Sequence, residues 1–247
     1  MVNKILAMSV WGDNPRYIIG ANRQVELAKE FYPDFKIRIY TDNINKFRNI
    51  LSDKDIQFEQ RTGDNGVFWR FEPLFESNDN IVIVRDSDGR ITKRESMAVY
   101  QWIDHTKNKF HTFRDHQSHF EYPVIACAFG YKGKLSDDLN SKMIEFINKP
   151  FYYTNDQVYL RDHVWPVVEE DALVHDMTYG WFGSSRSNLM NRYSFCGNGY
   201  DENDMPLYPP TLLECAEFQP TEVHEKYKFD KGLLRNEKLF LDYTYTQ

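Results

Sequence analysis

The run Ile81–Val84 consists of four β-branched apolar residues and leads directly into Arg85, Asp86, Ser87 and Asp88. Such a run predicts a β-strand, because branched side chains pack well on a pleated surface. Side chains two positions apart on a strand point the same way. Asp86 and Asp88 are therefore expected to project together from the rim of a sheet.

An alternation of predicted strands and helices surrounds this strand and defines the expected fold class. Strands are predicted at 4–10, 36–40, 56–59, 81–85 and 123–130. Helices are predicted at 22–31, 44–52, 67–77, 136–148 and 156–165, with one more that begins after Thr92. This order predicts an α/β fold in which helices lie on the faces of a sheet.

The composition is that of a globular domain, with 41% hydrophobic and 27% charged residues. We expect one domain over 1–247, which becomes irregular from about 190, where glycine and proline recur.

The net charge of −7 argues against a nucleic-acid partner. Three cysteines without CxxC spacing indicate reduced thiols and a cytoplasmic protein, or one of the host cytoplasm if viral. Without an apolar run of roughly 20 residues, any membrane contact would be peripheral.

The loops at one edge of the predicted sheet are the expected ligand site. Ligands of α/β sheets bind outside the carboxyl ends of the strands. Three loops follow such ends, at Ser9–Tyr17, Thr41–Asp42 and Asp86–Asp88. Gly130 is expected at the same edge, where a missing side chain permits close approach. The pattern predicts a single cleft.

The residue types at this edge point to a diphosphate and its metal. Paired carboxylates suit a hard divalent cation such as Mg²⁺ or Mn²⁺, which keeps positions open for water and phosphate oxygens. Arginines stand at 85, 90 and 94, and guanidinium forks match the geometry of phosphate oxygens.

Other motifs are disfavoured by single residues. The run Asp86-Ser87-Asp88-Gly89 resembles the start of a haloacid dehalogenase-type phosphatase, but Arg90 stands where that motif has threonine. An EF-hand loop would place Arg90 and Met97 at calcium-ligand positions. Glycine-rich dinucleotide and P-loop patterns do not occur.

Seven short motifs form an ordered series along the chain. They are Phe68-Trp69-Arg70-Phe71, Arg85-Asp86-x-Asp88-x-Arg90, Arg94-Glu95-x-x-Ala98-Val99-x-x-Trp102, His111-x-x-Arg114-Asp115-His116-x-x-His119, Gly130, Asp156-Gln157 and His175-Asp176. In this order they resemble DxD-type glycosyltransferases of the GT-A fold, found in polysaccharide-building bacteria and in some large viruses. The resemblance covers roughly residues 1–200. The series departs from the pattern at Gly89, where serine is expected, and at 126–129, where a Gly-Gly-Met-Trp-like run is expected.

This resemblance implies a Rossmann-like fold with a central, mixed, mostly parallel sheet flanked by helices. It also implies a nucleoside-diphosphate sugar donor, most simply a UDP-sugar, a glycan acceptor, and Mn²⁺ or Mg²⁺. The implied metal ligands are Asp86, Asp88 and His175. The implied donor-binding residues are Ser9, Val10, Trp11, Tyr17, Asp42, Arg70, Asp86, Ser87, Arg90, Arg94 and Gln157.

Two aspartates are candidates for the general base that takes the acceptor's proton, Asp156 and Asp115. For each a plainer interpretation stays open: Asp156 as an acid in the first turn of a helix, and Asp115 as part of a structural ion pair. His175 is equally a core or surface histidine. Two rival functions also stay open, a non-catalytic nucleotide-sugar or glycan-binding module and a phosphohydrolase with Asp86 as nucleophile.

Overall fold

The computed structural model describes residues 2–51, 55–115, 122–176 and 195–208. Within them lies a seven-stranded sheet of order β3-β2-β1-β4-β6-β5-β7. The strands are β1 (Asn3–Ser9), β2 (Lys36–Thr41), β3 (Gln57–Gln60), β4 (Asn80–Arg85), β5 (Phe110–Arg114), β6 (Ala128–Lys132) and β7 (Ala172–Asp176). Strand β6 runs antiparallel to both of its neighbours, and the other pairings are parallel. The predicted α/β class, with a mixed and mostly parallel sheet, is confirmed.

Helices cover both faces of this sheet. They are α1 (Pro15–Phe31), α2 (Ile44–Ile50), a 3₁₀ helix (Gly66–Phe75), α3 (Lys93–His105), α4 (Asp137–Ile147), α5 (Asn155–Tyr159), a π-turn (Leu160–Val164), α6 (Trp165–Val168) and a 3₁₀ turn (Glu169–Asp171). The predicted start of α3 after Thr92 is confirmed, and the Thr92 side chain caps the helix by accepting a hydrogen bond from the Glu95 N–H. Helix α1 begins earlier than predicted, because Asn14 caps it and Pro15 occupies its first position.

Strand alternation divides the core into two halves. Ile5, Ala7, Val82 and Val84 face the 3₁₀ helix, α4, α5 and α6. The alternate positions Leu6, Met8 and Ile83 face α1, α2 and α3. The period of two along each strand therefore sends neighbouring residues into different cores.

The sequence prediction missed β5 and β7. Strand β5 carries His111, Thr112 and Arg114, yet all five of its residues are buried. Hydrogen bonds offset this burial: the Arg114 Nε donates to the Pro123 carbonyl oxygen at 3.2 Å, for example. Polar residues paired in this way hide the apolar pattern by which strands are recognised.

The structure refines three further predictions. The strand predicted at 123–130 is found at Ala128–Lys132, and residues 122–127 lie in bends and a turn. The segment predicted as helical at 67–77 is a helix of the 3₁₀ type over Gly66–Phe75, with Pro73 inside it. The helix predicted at 156–165 is divided into α5 and a π-helical turn, and it continues past Pro166 as α6 because proline is tolerated in the first turn of a helix.

Gly130 has a structural role in the middle of β6. A Cβ built there would lie 2.9 Å from the Val82 carbonyl oxygen and 3.0 Å from the Trp102 ring. The absence of a side chain at Gly130 therefore leaves room for the Trp102 ring. This glycine serves the packing of the core and not the ligand contact that was expected. The described part of the chain contains no helix that is both long and apolar enough to cross a membrane.

Candidate functional site

Asp86 and Asp88 lie on the loop that leaves β4 at the carboxyl edge of the sheet. Gln24, a buried residue of α1, holds both ends of this loop. Its Nε2 donates to the Asp86 carbonyl oxygen at 2.9 Å, and its Oε1 accepts from the Ile91 N–H at 3.0 Å. Sequence reasoning did not find Gln24, because its role depends on a contact 62 residues away.

Gly20 allows α1 to approach the aspartate loop closely. A Cβ at this position would lie 2.8 Å from the Asp88 Cα and would also collide with the Ser87 carbonyl oxygen. A side chain here would push helix and loop apart. The close approach brings Arg16, one turn earlier in the same helix, to Asp88.

Asp88 is buried and forms an ion pair with Arg16. Its carbonyl oxygen accepts a hydrogen bond from the Tyr200 N–H at 2.9 Å. Burial, and next the negative charge of Asp86, raise the pKa of Asp88 above its ordinary value. The two carboxylates are thus close enough to repel each other, which a shared cation would relieve.

Arg70 connects Asp86 with Asp156. Its Nη1 lies 2.6 Å from Asp86 Oδ1, and its Nη2 donates to Asp156 Oδ2 at 2.9 Å. Ser9 positions this arginine, since the Ser9 hydroxyl accepts a hydrogen bond from the Arg70 N–H at 3.0 Å. Ser9 therefore supports Arg70, whereas the sequence predicted that it contacts the donor.

Asp156 is buried in the first turn of α5. Burial raises its pKa to about 6, an effect that Arg70 opposes and Asp86 increases. The neighbouring Gln157 accepts a hydrogen bond from the Ala126 N–H at 3.0 Å and so fixes the turn before β6. The raised pKa gives Asp156 more basicity than an ordinary aspartate has at neutral pH.

A cavity of about 120 Å³ opens to solvent beside this cluster. Residues that line it include Arg16, Asp86, Asp88, Arg90, Tyr153 and Asn198. Positive and negative groups thus face the same space. Such a polar cavity suits an anionic ligand held together with a cation.

Residues 195–208, which we call the covering segment, form one wall of the cavity. Gly199 passes directly over the ion pair, since a Cβ there would lie 2.9 Å from Arg16 Nη2 and 3.2 Å from Asp88 Oδ2. Asp204 fastens the segment by accepting hydrogen bonds from Arg90 Nη2 at 2.6 Å and from Arg23 Nε at 3.1 Å. The irregular structure predicted from about 190 is found in this segment, and residues 209–247 lie outside the described part.

The structure places Arg94 and Asp115 away from the cavity. Arg94 Nη2 donates to Asp115 Oδ1 at 2.6 Å, its Nη1 contacts the other oxygen, and both side chains are buried. Asp115 Oδ2 also accepts from the Cys196 N–H at 3.0 Å. The ion-pair interpretation of Asp115 is therefore the one that its surroundings support, with Arg94 as the partner.

His175 does not reach the aspartate pair either. Its Nδ1 lies 2.8 Å from His111 Nε2, and its Nε2 lies 2.8 Å from Gln101 Oε1. Burial first, and then Arg94, lower the pKa of His175 to about 3, so the ring is neutral. His175 is therefore a core histidine, which is the alternative that the sequence left open. His116 and His119 lie outside the described residues.

The loop after β1 contributes packing as well as exposed surface. Val10 is fully buried, and Trp11 packs edge-on against Trp69 with ring centroids 5.7 Å apart. Tyr17 is half-buried, and the Arg16 guanidinium carbon lies 5.2 Å from the centroid of the Tyr17 ring. Asp42 Oδ2 accepts from the Gly12 N–H at 3.1 Å and holds the loop.

The donor set fits Mg²⁺ or Mn²⁺ with two protein ligands. Among the described residues, no group of three or more His, Cys, Asp and Glu side chains is placed to hold a metal. Asp86 and Asp88 nevertheless offer carboxylate oxygens on one loop beside a polar cavity. Mg²⁺ in particular is commonly bound by one or two carboxylates, with water and substrate phosphates completing its shell.

Comparison with known proteins places glycosyltransferases among the similar structures. No protein-family model and no curated protein matches the chain. The galactosyltransferase LgtC, solved with donor and acceptor sugar analogs, is 11% identical with a TM-score of 0.46, over 69% of this chain and 72% of that one. A glycosyltransferase involved in glycosylation of the major capsid of PBCV-1 is 15% identical with a TM-score of 0.43, over 72% and 82%.

A third similar structure belongs to another kind of enzyme. It is 4-diphosphocytidyl-2C-methyl-D-erythritol synthase from Anaerococcus prevotii, 12% identical with a TM-score of 0.46, over 71% of this chain and 89% of that one. Because the three identities are 15% or lower, the function of this chain is inferred from its own residues.

Proposed function

We propose that this protein is a metal-dependent glycosyltransferase, which moves a sugar from a nucleoside-diphosphate sugar, a UDP-sugar first among them, to a glycan acceptor. The observation that carries the proposal is the position of Asp86 and Asp88. They follow β4 at the carboxyl edge of a mostly parallel sheet and face a cavity that arginines also line. This edge is where ligands of such sheets bind.

The charges around the cavity support binding of a diphosphate. When Mn²⁺ or Mg²⁺ is held by Asp86 and Asp88, it supplies a Lewis acid for the diphosphate leaving group. Arg16 lines the same cavity and brings a guanidinium to phosphate oxygens, and Arg90, which is held by Asp204, adds positive charge to its lining. These donors matter most as the sugar departs, because negative charge then develops on the diphosphate.

Asp156 is the proposed general base. With a pKa of about 6 it is ionised at neutral pH and accepts a proton more readily than an ordinary aspartate. Arg70 holds its carboxylate 2.9 Å away and links it to Asp86, so the acceptor and metal sides of the site share one support. In this proposal Asp156 takes the proton of the acceptor hydroxyl as the new glycosidic bond forms.

Calorimetric titration of UDP into the protein with and without Mn²⁺ tests the donor site. We expect binding that depends on Mn²⁺ and that Asp88→Asn loses, since an amide is a neutral and weaker ligand than a carboxylate. Asp138→Asn is the matched control, because Asp138 is exposed in the first turn of α4. A wild-type protein that binds UDP equally well with and without the metal, or not at all, would overturn the proposal.

A further inference from the structure

We propose that Arg16 is a built-in counter-ion of Asp88, which a divalent cation displaces when it binds, and that the released guanidinium then binds the donor's diphosphate. The inference rests on the proposed function and adds an order of events to it. Its basis is the ion pair in which the Arg16 guanidinium contacts the carboxylate oxygen Oδ2 of Asp88. That carboxylate is one of the two proposed metal ligands.

Asp88 needs a positive partner whether or not a metal is bound. Its side chain is 7% exposed and lies beside a second carboxylate, that of Asp86. A buried carboxylate without a partner is strongly unfavourable, and a neighbouring negative charge adds to the penalty. Arg16 supplies this partner from within the chain.

Arg16 and a divalent cation cannot both hold the same oxygen of Asp88. A guanidinium beside a dication experiences like-charge repulsion, which is strong where water is scarce. Arg16 therefore has to move away when a metal binds. The exchange keeps the carboxylate neutralised throughout, since one cation replaces another.

The position of Arg16 permits this movement. Its side chain is 26% exposed and lines the solvent-open cavity, so it can turn outwards without disturbing a core. Arg70 differs, because its side chain is 6% exposed and contacts Asp86, Asp156 and the Ala126 carbonyl oxygen together. Of these two arginines, Arg16 is the one suited to exchange, and Arg70 the one suited to fixed support.

The released guanidinium has an evident destination. It remains tethered in the first turn of α1, beside a cavity that Arg90 also lines. A diphosphate brought in with the metal offers oxygens that suit a guanidinium fork. When Arg16 loses Asp88 as its partner, it thus gains the diphosphate of the donor instead. Binding of the metal and binding of the donor therefore favour each other.

The test measures Mn²⁺ affinity without nucleotide, by electron paramagnetic resonance of the free ion, for the wild type and Arg16→Gln. We expect Arg16→Gln to bind Mn²⁺ about tenfold more tightly, the size of coupling seen between contacting charged groups. With saturating Mn²⁺, the same variant should bind UDP more weakly than the wild type. Arg48→Gln is the control, because Arg48 is an exposed arginine of α2 and its loss changes the net charge equally.

Two further variants decide between explanations. Arg16→Lys keeps the positive charge and should bind Mn²⁺ with nearly wild-type affinity. This variant is also the one to measure if Arg16→Gln folds poorly. In the Asp88→Asn background, Arg16→Gln should give no gain, since the contested carboxylate is gone.

Unchanged or weaker Mn²⁺ binding by Arg16→Gln, in a protein whose wild type still binds UDP with Mn²⁺, would overturn this inference alone. If neither the wild type nor Arg16→Gln binds Mn²⁺ and UDP together, the proposed function fails as well. The two failures are therefore distinguishable.

Discussion

Two sets of ion pairs flank β4, and they differ in their access to water. At the rim, Arg16 pairs with Asp88 and Arg70 pairs with Asp86, whose side chain is 34% exposed. In the interior, Arg85 pairs with Glu95 and Arg94 with Asp115, and none of these four side chains is more than 4% exposed. Each pair in both sets joins an arginine to a carboxylate, so the surroundings decide what each set can do.

The rim pair of Arg16 and Asp88 can exchange partners, whereas the interior pairs are fixed. A metal ion or a phosphate that enters the cavity reaches Arg16, Asp86 and Asp88 directly, because these residues line it. Glu95 also borders the cavity, but its side chain is only 2% exposed, and it accepts hydrogen bonds from Arg85 Nε at 2.6 Å and from the Tyr32 hydroxyl at 3.1 Å. Breaking such a pair leaves a buried charge that no solvent compensates.

The largest expected effect comes from breaking an interior pair. Asp115→Asn leaves Arg94 charged and buried without its anion, and we expect a loss of about 3–5 kcal/mol in the free energy of unfolding. Asp88→Asn at the rim should change that free energy much less. Urea denaturation followed by circular dichroism measures both. A loss for Asp88→Asn as large as that for Asp115→Asn would contradict the division into exchangeable and fixed pairs.

The division was not visible in the sequence, because residue type alone does not reveal burial. The motif series placed Arg94, Asp115 and His175 in the site, yet each is held in the core by other side chains. The prediction of the β4 strand succeeded because an apolar run is a local signal. The cap at Thr92 was predictable for the same reason.

Residues that act through tertiary contacts could not be predicted in this way. Gly20, Gln24 and Arg16 belong to the site because α1 crosses the aspartate loop, and that crossing joins positions more than 60 residues apart. Gly20 gave no signal of its own, because it precedes the helix predicted at 22–31 and lies within α1 only in the structure. Gly199 and Asp204 contribute from still farther along the chain.

A second, smaller effect is the pH dependence that Asp156 introduces. Its pKa of about 6 in the folded protein lies above the ordinary value of 3.8, so the folded state holds this proton more tightly than the unfolded state. The contribution of Asp156 is therefore most favourable below about pH 4 and is lost as the pH rises through 6. The total change is about 3 kcal/mol, at roughly 1.4 kcal/mol for each pKa unit.

Unfolding free energies at pH 4, 5, 6 and 7 check this expectation. The stability of the wild type relative to Asp156→Asn should fall across this range, because the asparagine does not titrate. Asp138→Asn, at an exposed position, should keep a constant difference from the wild type. A rise in relative stability with pH would mean that Asp156 is stabilised in its charged form, and the argument for its basicity would fail.

The smallest expected effect concerns the contact on which the rim pair depends. In Gly20→Ala the new methyl group would collide with the backbone at Ser87 and Asp88, so α1 and the loop must separate. Alanine alone would stabilise a helix by about 1 kcal/mol relative to glycine, and overpacking typically costs about 1–3 kcal/mol. We expect a net loss of about 1 kcal/mol, with weaker contact between Arg16 and Asp88.

Thermal unfolding and Mn²⁺ titration of Gly20→Ala separate these two consequences. The adjacent Ile19→Ala is the control, since Ile19 is exposed and its truncation should alter stability by less than about 0.5 kcal/mol. If Arg16 is held at Asp88 by this close approach, Gly20→Ala should move Mn²⁺ affinity in the same direction as Arg16→Gln, by a smaller factor. Stabilisation of the protein by Gly20→Ala would show instead that the loop yields freely, and that the rim pair does not depend on the approach of α1.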